Sequence, residues 1–214
     1  MSKSNLNYII SKYLDAKVFI TNLGYSDEIE WQDNLHIDNI QESTFIREAA
    51  WVILSSGMRE TVVRKVFPMI SASFFNWESA SVIVKNKEFC FSTAMESFGN
   101  TKKINAILKI ADVINSNGFK YILESIKREE LDYIRTFPFM GPATGYHFAK
   151  NIGLDVAKPD RHLVRIASSL GYNCPHQLCS DISGITDEKL SVVDLVLWRY
   201  AVTDKDYLSF FSFD

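Results

Sequence analysis

The residues of this chain that are best suited to chemistry lie between Lys158 and Arg165. Asp160 follows a proline and precedes a helical pattern, so it should occupy the N-cap of a helix, where unpaired N–H groups and the positive end of the helix dipole stabilise an ionised carboxylate. Most aspartates in such a place are only helix caps. A carboxylate that is held ionised can also stabilise a developing cation or orient a water molecule. The neighbouring sequence has to distinguish these two roles.

A tight turn between two helical patterns precedes Asp160 and offers backbone N–H groups to a phosphate. Gly141 is free to take a positive φ, and Pro142 suits the first position of a helix, because its missing N–H would have no partner there. Gly153 should end that helix. The N-terminus of such a helix is a suitable phosphate site. The rest of the chain can be placed around the stretch from Leu131 to Gly171.

Helical patterns account for most of the remaining sequence. Apolar spacing predicts helices over residues 1–20, after Ser43 or Thr44, between Gly57 and Pro68, from Asn100 or Thr101 to Asn117, and over residues 119–127, 176–181 and 186–203. The helix after Gly57 should end before Pro68, since proline disfavours the helical conformation of the preceding residue. Residues 21–39 should form a long loop, and a minor strand pair is allowed near residues 81–91. The expected fold class is all-α.

Composition restricts the class of protein. The chain has 214 residues, of which 47% are hydrophobic, enough to bury a large core in one domain or two interlocked lobes. Three cysteines, Cys90, Cys174 and Cys179, favour a reducing compartment and neither a zinc nor an iron–sulfur site. No apolar run approaches a membrane span and the N-terminus is not a signal peptide, so an intracellular, cytoplasmic protein is expected. A net charge of −3 means that any nucleic-acid surface must be local.

Two motifs carry a resemblance to a known family. The pattern Phe137-Pro138-x-x-Gly141-x-x-Thr144, followed by Asp160-x-His162-x-x-Arg165, resembles the helix-hairpin-helix superfamily of base-excision DNA glycosylases. The run from Trp51 to Arg59 resembles the family's apolar helix, which ends in a Leu-Ser pair before a loop that wedges into the base stack. The resemblance covers residues 43–171. It implies one domain of two helical lobes with a cleft between them and the hairpin at the cleft: a lobe over 43–128, a hairpin and catalytic segment over 129–171, and 1–42 with 172–214 completing the second lobe.

The resemblance implies an enzyme that flips a damaged or modified base out of duplex DNA and hydrolyses its N-glycosidic bond. Asp160 would then stabilise the oxocarbenium-like sugar and orient or activate water. Bifunctional relatives carry a nucleophilic lysine in the hairpin, and here the matching residue is Ala143, so a monofunctional enzyme is expected. Lys150 and Lys158 lie nearby and leave a displaced lyase nucleophile open.

The same resemblance assigns further site residues and partners. The hairpin, the segment after it and the wedge loop should bind DNA through Phe139, Met140, Gly141, Ala143, Thr144, Lys158, Arg161, Arg165, Met58 and Arg59. Phe139 stands at the usual first glycine of the hairpin. Trp31, Phe45 and Trp51 are candidates for a base pocket. No cofactor is required, no iron–sulfur cluster is implied, and a monovalent cation at the hairpin is compatible with the family. The expected partner is double-stranded DNA with a modified base, bound by a monomer associated with the nucleoid.

Several alternatives stay open at this point. The chain could be a bifunctional glycosylase and lyase, a non-catalytic helix-hairpin-helix DNA-binding module in which Asp160 is only a cap, or a protein-interaction domain with an ordinary helix connection. His162 is expected to be structural or to contact a phosphate. Asp194 falls on an apolar stripe and needs a partner. The sequence does not identify the base, which could be an oxidised or alkylated purine, uracil, mismatched thymine or a bulky virus-type pyrimidine.

Overall fold

A computed structural model describes residues 3–212, and this part of the chain contains fourteen α-helices, two short 3₁₀ helices and no strand. The predicted all-α class is therefore confirmed. In chain order the α-helices are α1 (Lys3–Asn22), α2 (Ser26–Asn34), α3 (Glu42–Ser55), α4 (Glu60–Ser73), α5 (Ala80–Lys85), α6 (Lys87–Ser97), α7 (Thr101–Asn117), α8 (Phe119–Glu129), α9 (Leu131–Ile134), α10 (Pro142–Asn151), α11 (Arg161–Ser169), α12 (Pro175–Thr186), α13 (Leu190–Thr203) and α14 (Tyr207–Phe211). The 3₁₀ helices cover Ile37–Asn39 and Phe75–Trp77.

The chain divides into two compact units. The central unit comprises residues 36–152, and the terminal unit combines residues 1–35 with residues 153–214. Each unit has its own buried apolar side chains. The predicted cleft between two lobes stays a prediction.

The central unit is built around α3, which packs against α4, α5, α7 and α10. Ile46, Ala50 and Ile53 of α3 are buried at spacings of three and four residues, as expected for one apolar face of a helix. The sequence predicted both ends of α7 correctly: the Asn100 side chain accepts a hydrogen bond from the N–H of Lys103, and Gly118 follows the last helical residue with a φ of 85°.

The terminal unit is centred on α13, which packs against α1, α2, α11 and α12. Its buried residues include Val193, Val196 and Leu197, within one cluster that also takes in Tyr13 of α1 and Leu163 of α11. This long buried helix supports the start of α11, at which Asp160 lies.

The sequence placed the cap of α3 at Ser43 or Thr44, whereas the N-cap is Gln41 and the helix begins at Glu42. Four further sequence predictions about these elements are wrong. Residues 21–39 are not a loop, because α2 and a 3₁₀ helix lie within them. The helix after Gly57 continues through Pro68, whose ring is exposed, while Val63 and Ile70 are buried on either side of it. Residues 81–91 belong to two helices and not to a strand pair. The buried residues are three apart in α5, at Ala80 and Ile83, and four apart in α6, at Cys90 and Ala94.

The fourth concerns the start of α13, which begins at Leu190 and not near residue 186. Asp187 is the left-handed residue that ends α12, with a φ of 59°. A residue in the left-handed conformation ends a helix, so Asp187 belongs to the C-terminus of α12 and not to the first turn of α13.

Candidate active site

Asp160 is the N-cap of α11, as the sequence predicted. Its Oδ1 atom accepts hydrogen bonds from the N–H of His162 at 2.9 Å and from the N–H of Leu163 at 3.0 Å. The other carboxylate oxygen, Oδ2, has no hydrogen-bond partner within residues 3–212. Asp160 is half-buried, so one oxygen anchors the side chain and the other is available to a ligand or water.

Two carboxylates hold the segment that leads to Asp160. Asp194 is buried on α13, and its Oδ1 atom accepts the N–H of Lys158 at 2.7 Å. Asp155 Oδ1 accepts both the N–H and the hydroxyl of Ser191, at 2.8 and 3.0 Å, at the start of α13. The approach to Asp160 is therefore tied to α13 at two points. The hydrogen bond from Lys158 gives Asp194 the partner that a carboxylate on an apolar stripe needs.

His162 bridges its own neighbour and α14. Arg161 Nε donates to His162 Nε2 at 3.3 Å, and His162 Nδ1 lies 3.2 Å from the hydroxyl of Tyr207. Because arginine only donates, Nε2 must be the acceptor, and the neutral ring then carries its proton on Nδ1 and donates it to Tyr207. His162 is thus held between Arg161 and Tyr207. The phosphate contact that the sequence also allowed stays a prediction.

Arg161 and Arg165 are both exposed on α11. Arg165 lines a shallow groove between α11 and α14, with Ser168, Ser169 and Ser209 among its other lining residues. These two guanidinium groups are positive charges on the helix that Asp160 caps.

The turn between α9 and α10 lies in the central unit. Pro142 is the first residue of α10 and Gly153, with a φ of 90°, follows its end, so both predictions are confirmed. The positive φ of the turn falls on Phe139, at 65°, and not on Gly141, whose φ is −75°. The Thr144 hydroxyl donates to the Phe139 carbonyl and closes the turn.

The turn leaves several backbone donors unused. The N–H groups of Gly141, Ala143 and Thr144 make no hydrogen bond within the described chain. Gly145 packs closely behind them, because a Cβ there would lie 3.4 Å from the Met140 carbonyl oxygen. Phe139 stands 38% exposed at the tip.

Met140 does not share this exposed position. Its side chain is buried, and its N–H donates to the Phe137 carbonyl at 3.2 Å. An apolar side chain after a turn packs against its own unit, so we do not retain Met140 as a DNA contact.

The lysine and alanine positions differ in their surroundings. Ala143, at the position of the family's nucleophilic lysine, is exposed in the first turn of α10. Lys150 is buried near the end of the same helix and has interaction partners, whereas Lys158 is half-buried in the terminal unit.

The three aromatic candidates for a base pocket occupy different environments. Phe45 is fully buried in the central unit, surrounded by the rings of Phe119, Phe137 and Phe148 at centroid distances of 5.5, 6.2 and 4.9 Å. A ring enclosed in this way offers no face to a base, so we do not retain Phe45.

Trp31 and Trp51 keep accessible surface. Trp31 is 47% exposed on α2 of the terminal unit. Trp51 is half-buried on α3, edge-on to Phe67 at 5.1 Å, with the Arg64 guanidinium carbon 5.5 Å from its ring centroid. Met58 and Arg59 are exposed in the connection that follows α3. Their role as a wedge stays a prediction.

The part of the chain that the structure describes offers neither a metal site nor a membrane-spanning helix. No group of three or more His, Cys, Asp or Glu side chains could hold a metal ion in that part of the chain. No helix there is long and apolar enough to cross a membrane. In comparisons with known proteins, no family model, no curated protein and no solved structure matches the chain.

Proposed function

We propose that the chain is a monofunctional DNA glycosylase that flips a damaged or modified base out of duplex DNA and hydrolyses its N-glycosidic bond. The observation that supports this most strongly is the carboxylate of Asp160. Two backbone N–H groups hold its Oδ1 atom at the start of α11, while Oδ2 has no partner within the described residues. One oxygen therefore holds the carboxylate in position, and the second oxygen stays available to a ligand or water.

The chemistry follows from this arrangement. As the N-glycosidic bond breaks, the base departs with the bonding electron pair and the sugar acquires oxocarbenium character. A fixed carboxylate stabilises that positive charge, and Oδ2 can accept a hydrogen bond from water. The water oxygen then bonds to the anomeric carbon of the sugar, and its proton passes through the carboxylate to solvent. Asp160 therefore acts before and after the bond breaks.

The hydrolytic outcome is proposed because of Ala143. A lyase needs an amine at the sugar to form a Schiff base, and alanine supplies none. Lys150 is a poor substitute because it is buried and already has interaction partners. Lys158 is the remaining candidate, and trapping experiments test it directly.

DNA binding is proposed to use both units. In the central unit, the unused N–H groups of Gly141, Ala143 and Thr144 can receive a phosphate at the start of α10. In the terminal unit, exposed Arg161 and Arg165 can contact the backbone. The proposal includes the two-lobed arrangement with a cleft that the family resemblance implies. It includes no required cofactor.

A panel of duplex oligonucleotides tests the proposal, each with one modified base: an oxidised purine, an alkylated purine, uracil, a mismatched thymine or a glucosylated pyrimidine. We expect the protein to convert at least one duplex to an alkali-labile abasic product. Borohydride should trap no covalent adduct, and a trapped adduct would show a bifunctional enzyme. DNA binding without release of any base would favour a non-catalytic module.

A further inference from the structure

Helix α14 contacts the start of α11 through one tyrosine. Tyr207, the first residue of α14, is only 6% exposed. Its hydroxyl oxygen lies 3.2 Å from His162 Nδ1, and the two rings meet edge-on with their centroids 5.4 Å apart. Because α14 also packs against α1 and α13, the tyrosine is held within the terminal unit. A residue 45 positions away in the sequence therefore fixes the His162 ring.

The position of the proton on the His162 ring decides whether the ring can hold Arg161. Arg161 Nε donates to His162 Nε2 at 3.3 Å, and a ring nitrogen that carries a proton cannot accept this bond. Nε2 of the neutral ring is an acceptor only while the proton is on Nδ1, where the Tyr207 hydroxyl accepts it. An Nδ1–H that faced α14 without an acceptor would be costly. The Tyr207 hydroxyl therefore favours the tautomer that can hold Arg161.

Arg161 keeps its terminal nitrogens for a ligand. Only Nε is used, and Nη1 and Nη2 have no hydrogen-bond partner among residues 3–212. The side chain is exposed and adjoins Asp160, whose Oδ1 atom accepts the N–H of His162. A guanidinium group can donate two parallel hydrogen bonds to one phosphate. A guanidinium that is already held loses less conformational entropy when it binds.

We propose that Tyr207 is a positioning residue for DNA binding: through the tautomer of His162 it holds the Arg161 guanidinium in place for a phosphate of the DNA backbone beside Asp160. The proposal rests on the proposed function and deepens it. Tyr207 lies outside residues 43–171, to which the family resemblance extends, and it acts without touching DNA. His162 also acts within the protein, because both of its ring nitrogens have partners there.

The first test measures binding by fluorescence anisotropy with a duplex that contains a tetrahydrofuran abasic analogue, so the identity of the excised base is not needed. Tyr207→Phe keeps the ring and removes the hydroxyl, and it should weaken binding about threefold. Tyr8→Phe is the matched control, because the Tyr8 hydroxyl donates to the Ser212 carbonyl at 2.8 Å, just after α14, and not to His162. It should leave the affinity unchanged. Equal affinities of Tyr207→Phe and the wild type would overturn the proposal.

A double-mutant cycle separates positioning from a general loss of structure. Arg161→Gln should weaken binding about tenfold, as expected for the loss of charged hydrogen bonds. Adding Tyr207→Phe to Arg161→Gln should cause no further loss, because the guanidinium that Tyr207 positions is already gone. A further loss of about threefold would show that Tyr207 acts through the fold as a whole or through a direct contact of His162 with DNA, and would overturn the proposal.

Nitrogen-15 spectra of the His162 side chain provide a readout that a merely structural role would not change. At about pH 8.5, where imidazole is neutral, the wild type should carry the ring proton on Nδ1. In Tyr207→Phe the proton should move toward Nε2, which can donate it to water, whereas Tyr8→Phe should match the wild type. A wild-type ring with its proton on Nε2 would overturn the proposal.

Failure of the proposed function and failure of this inference are distinguishable. If the wild-type protein does not bind the abasic duplex, both fall together. If the wild-type protein binds it and Tyr207→Phe binds equally well, only this inference is overturned.

Discussion

The two carboxylate oxygens of Asp160 have different roles, one in the structure and one in the proposed chemistry. One oxygen caps α11, and the other has no partner in the described chain. The cap could be predicted from a proline, an aspartate and the helical pattern that follows, because capping is a local interaction. The hydrogen bonds of Asp155 and Asp194 could not be predicted, since each joins residues that are 36 positions apart in the sequence. Neighbouring residues in the sequence give no sign of such a contact.

Glu130 carries backbone strain just before α9. Its φ of 47° and ψ of −121° suit glycine, and its side chain is exposed. Glu130→Gly should therefore raise the free energy of unfolding by about 1 kcal/mol, as measured by urea denaturation. Glu124→Gly, within α8, should instead lower it by about 1 kcal/mol. A lower free energy of unfolding for Glu130→Gly would show that the backbone at Glu130 is not strained.

Glu48 should make stability depend on pH. Burial raises the pKa of this carboxyl, although Arg47 and Asn151 oppose the rise. A carboxyl whose pKa is higher in the folded state stabilises the fold when protonated, and this contribution is lost as pH rises through the folded pKa. Glu48→Gln cannot ionise, so its Tm relative to the wild type should increase from about pH 4 to about pH 7.

The exposed Glu96→Gln is the control, and thermal melts across this pH range provide the measurement. A Tm difference for Glu48→Gln that shrinks as pH rises would show that the sign is wrong.

At the scale of elements, the sequence predicted helices best where caps and apolar period agree. Asn100 and Gly118 mark both ends of α7. The sequence failed where tertiary packing overrides a local signal: Pro68 removes one backbone donor from α4, but buried Val63 and Ile70 hold the helix together on both sides. It also missed α2, in which only Ile29 and Gln32 are buried, too few for a detectable period.

The segment from Gly153 to Asp160 is an element whose rigidity can be tested at Asp155. Asp155→Ala removes the acceptor for the N–H and hydroxyl of Ser191 at the start of α13. We expect a loss of about 1 kcal/mol in the free energy of unfolding, typical of a lost helix cap, and a lower kcat for base release. Asp155→Asn keeps the acceptor oxygen and should behave like the wild type. An unchanged kcat in a destabilised Asp155→Ala protein would separate this anchor from catalysis.

For the whole molecule, the all-α class followed from composition and helical period, whereas the division into two units depends on contacts between distant residues. The central unit is continuous in sequence, but the terminal unit joins both ends of the chain. The family resemblance implied that 1–42 and 172–214 complete one lobe, but no local pattern in the sequence reports such a pairing. The proposed DNA surface is likewise a property of the assembled molecule.

The net charge of the whole chain bears on how the proposed DNA binding should depend on salt. The chain carries −3 overall, so the proposed DNA-binding surface must be local and basic. We expect the association constant for duplex DNA to fall at least tenfold between about 50 and about 200 mM salt. Arg165→Gln should lower the slope of log K against log salt by about 1, whereas Lys109→Gln on α7 should not change it. Salt-insensitive binding would contradict the nucleic-acid account.

Asp160 is proposed to be the catalytic carboxylate, and the variant Asp160→Asn tests this role. Asparagine caps a helix nearly as well as aspartate, so Tm and DNA affinity should stay close to those of the wild type. Asp160→Ala, which loses the cap, measures the structural contribution separately. With a duplex that the wild type processes, single-turnover base release by Asp160→Asn should fall at least about a hundredfold, because the negative charge is gone. Release at the wild-type rate would contradict the account.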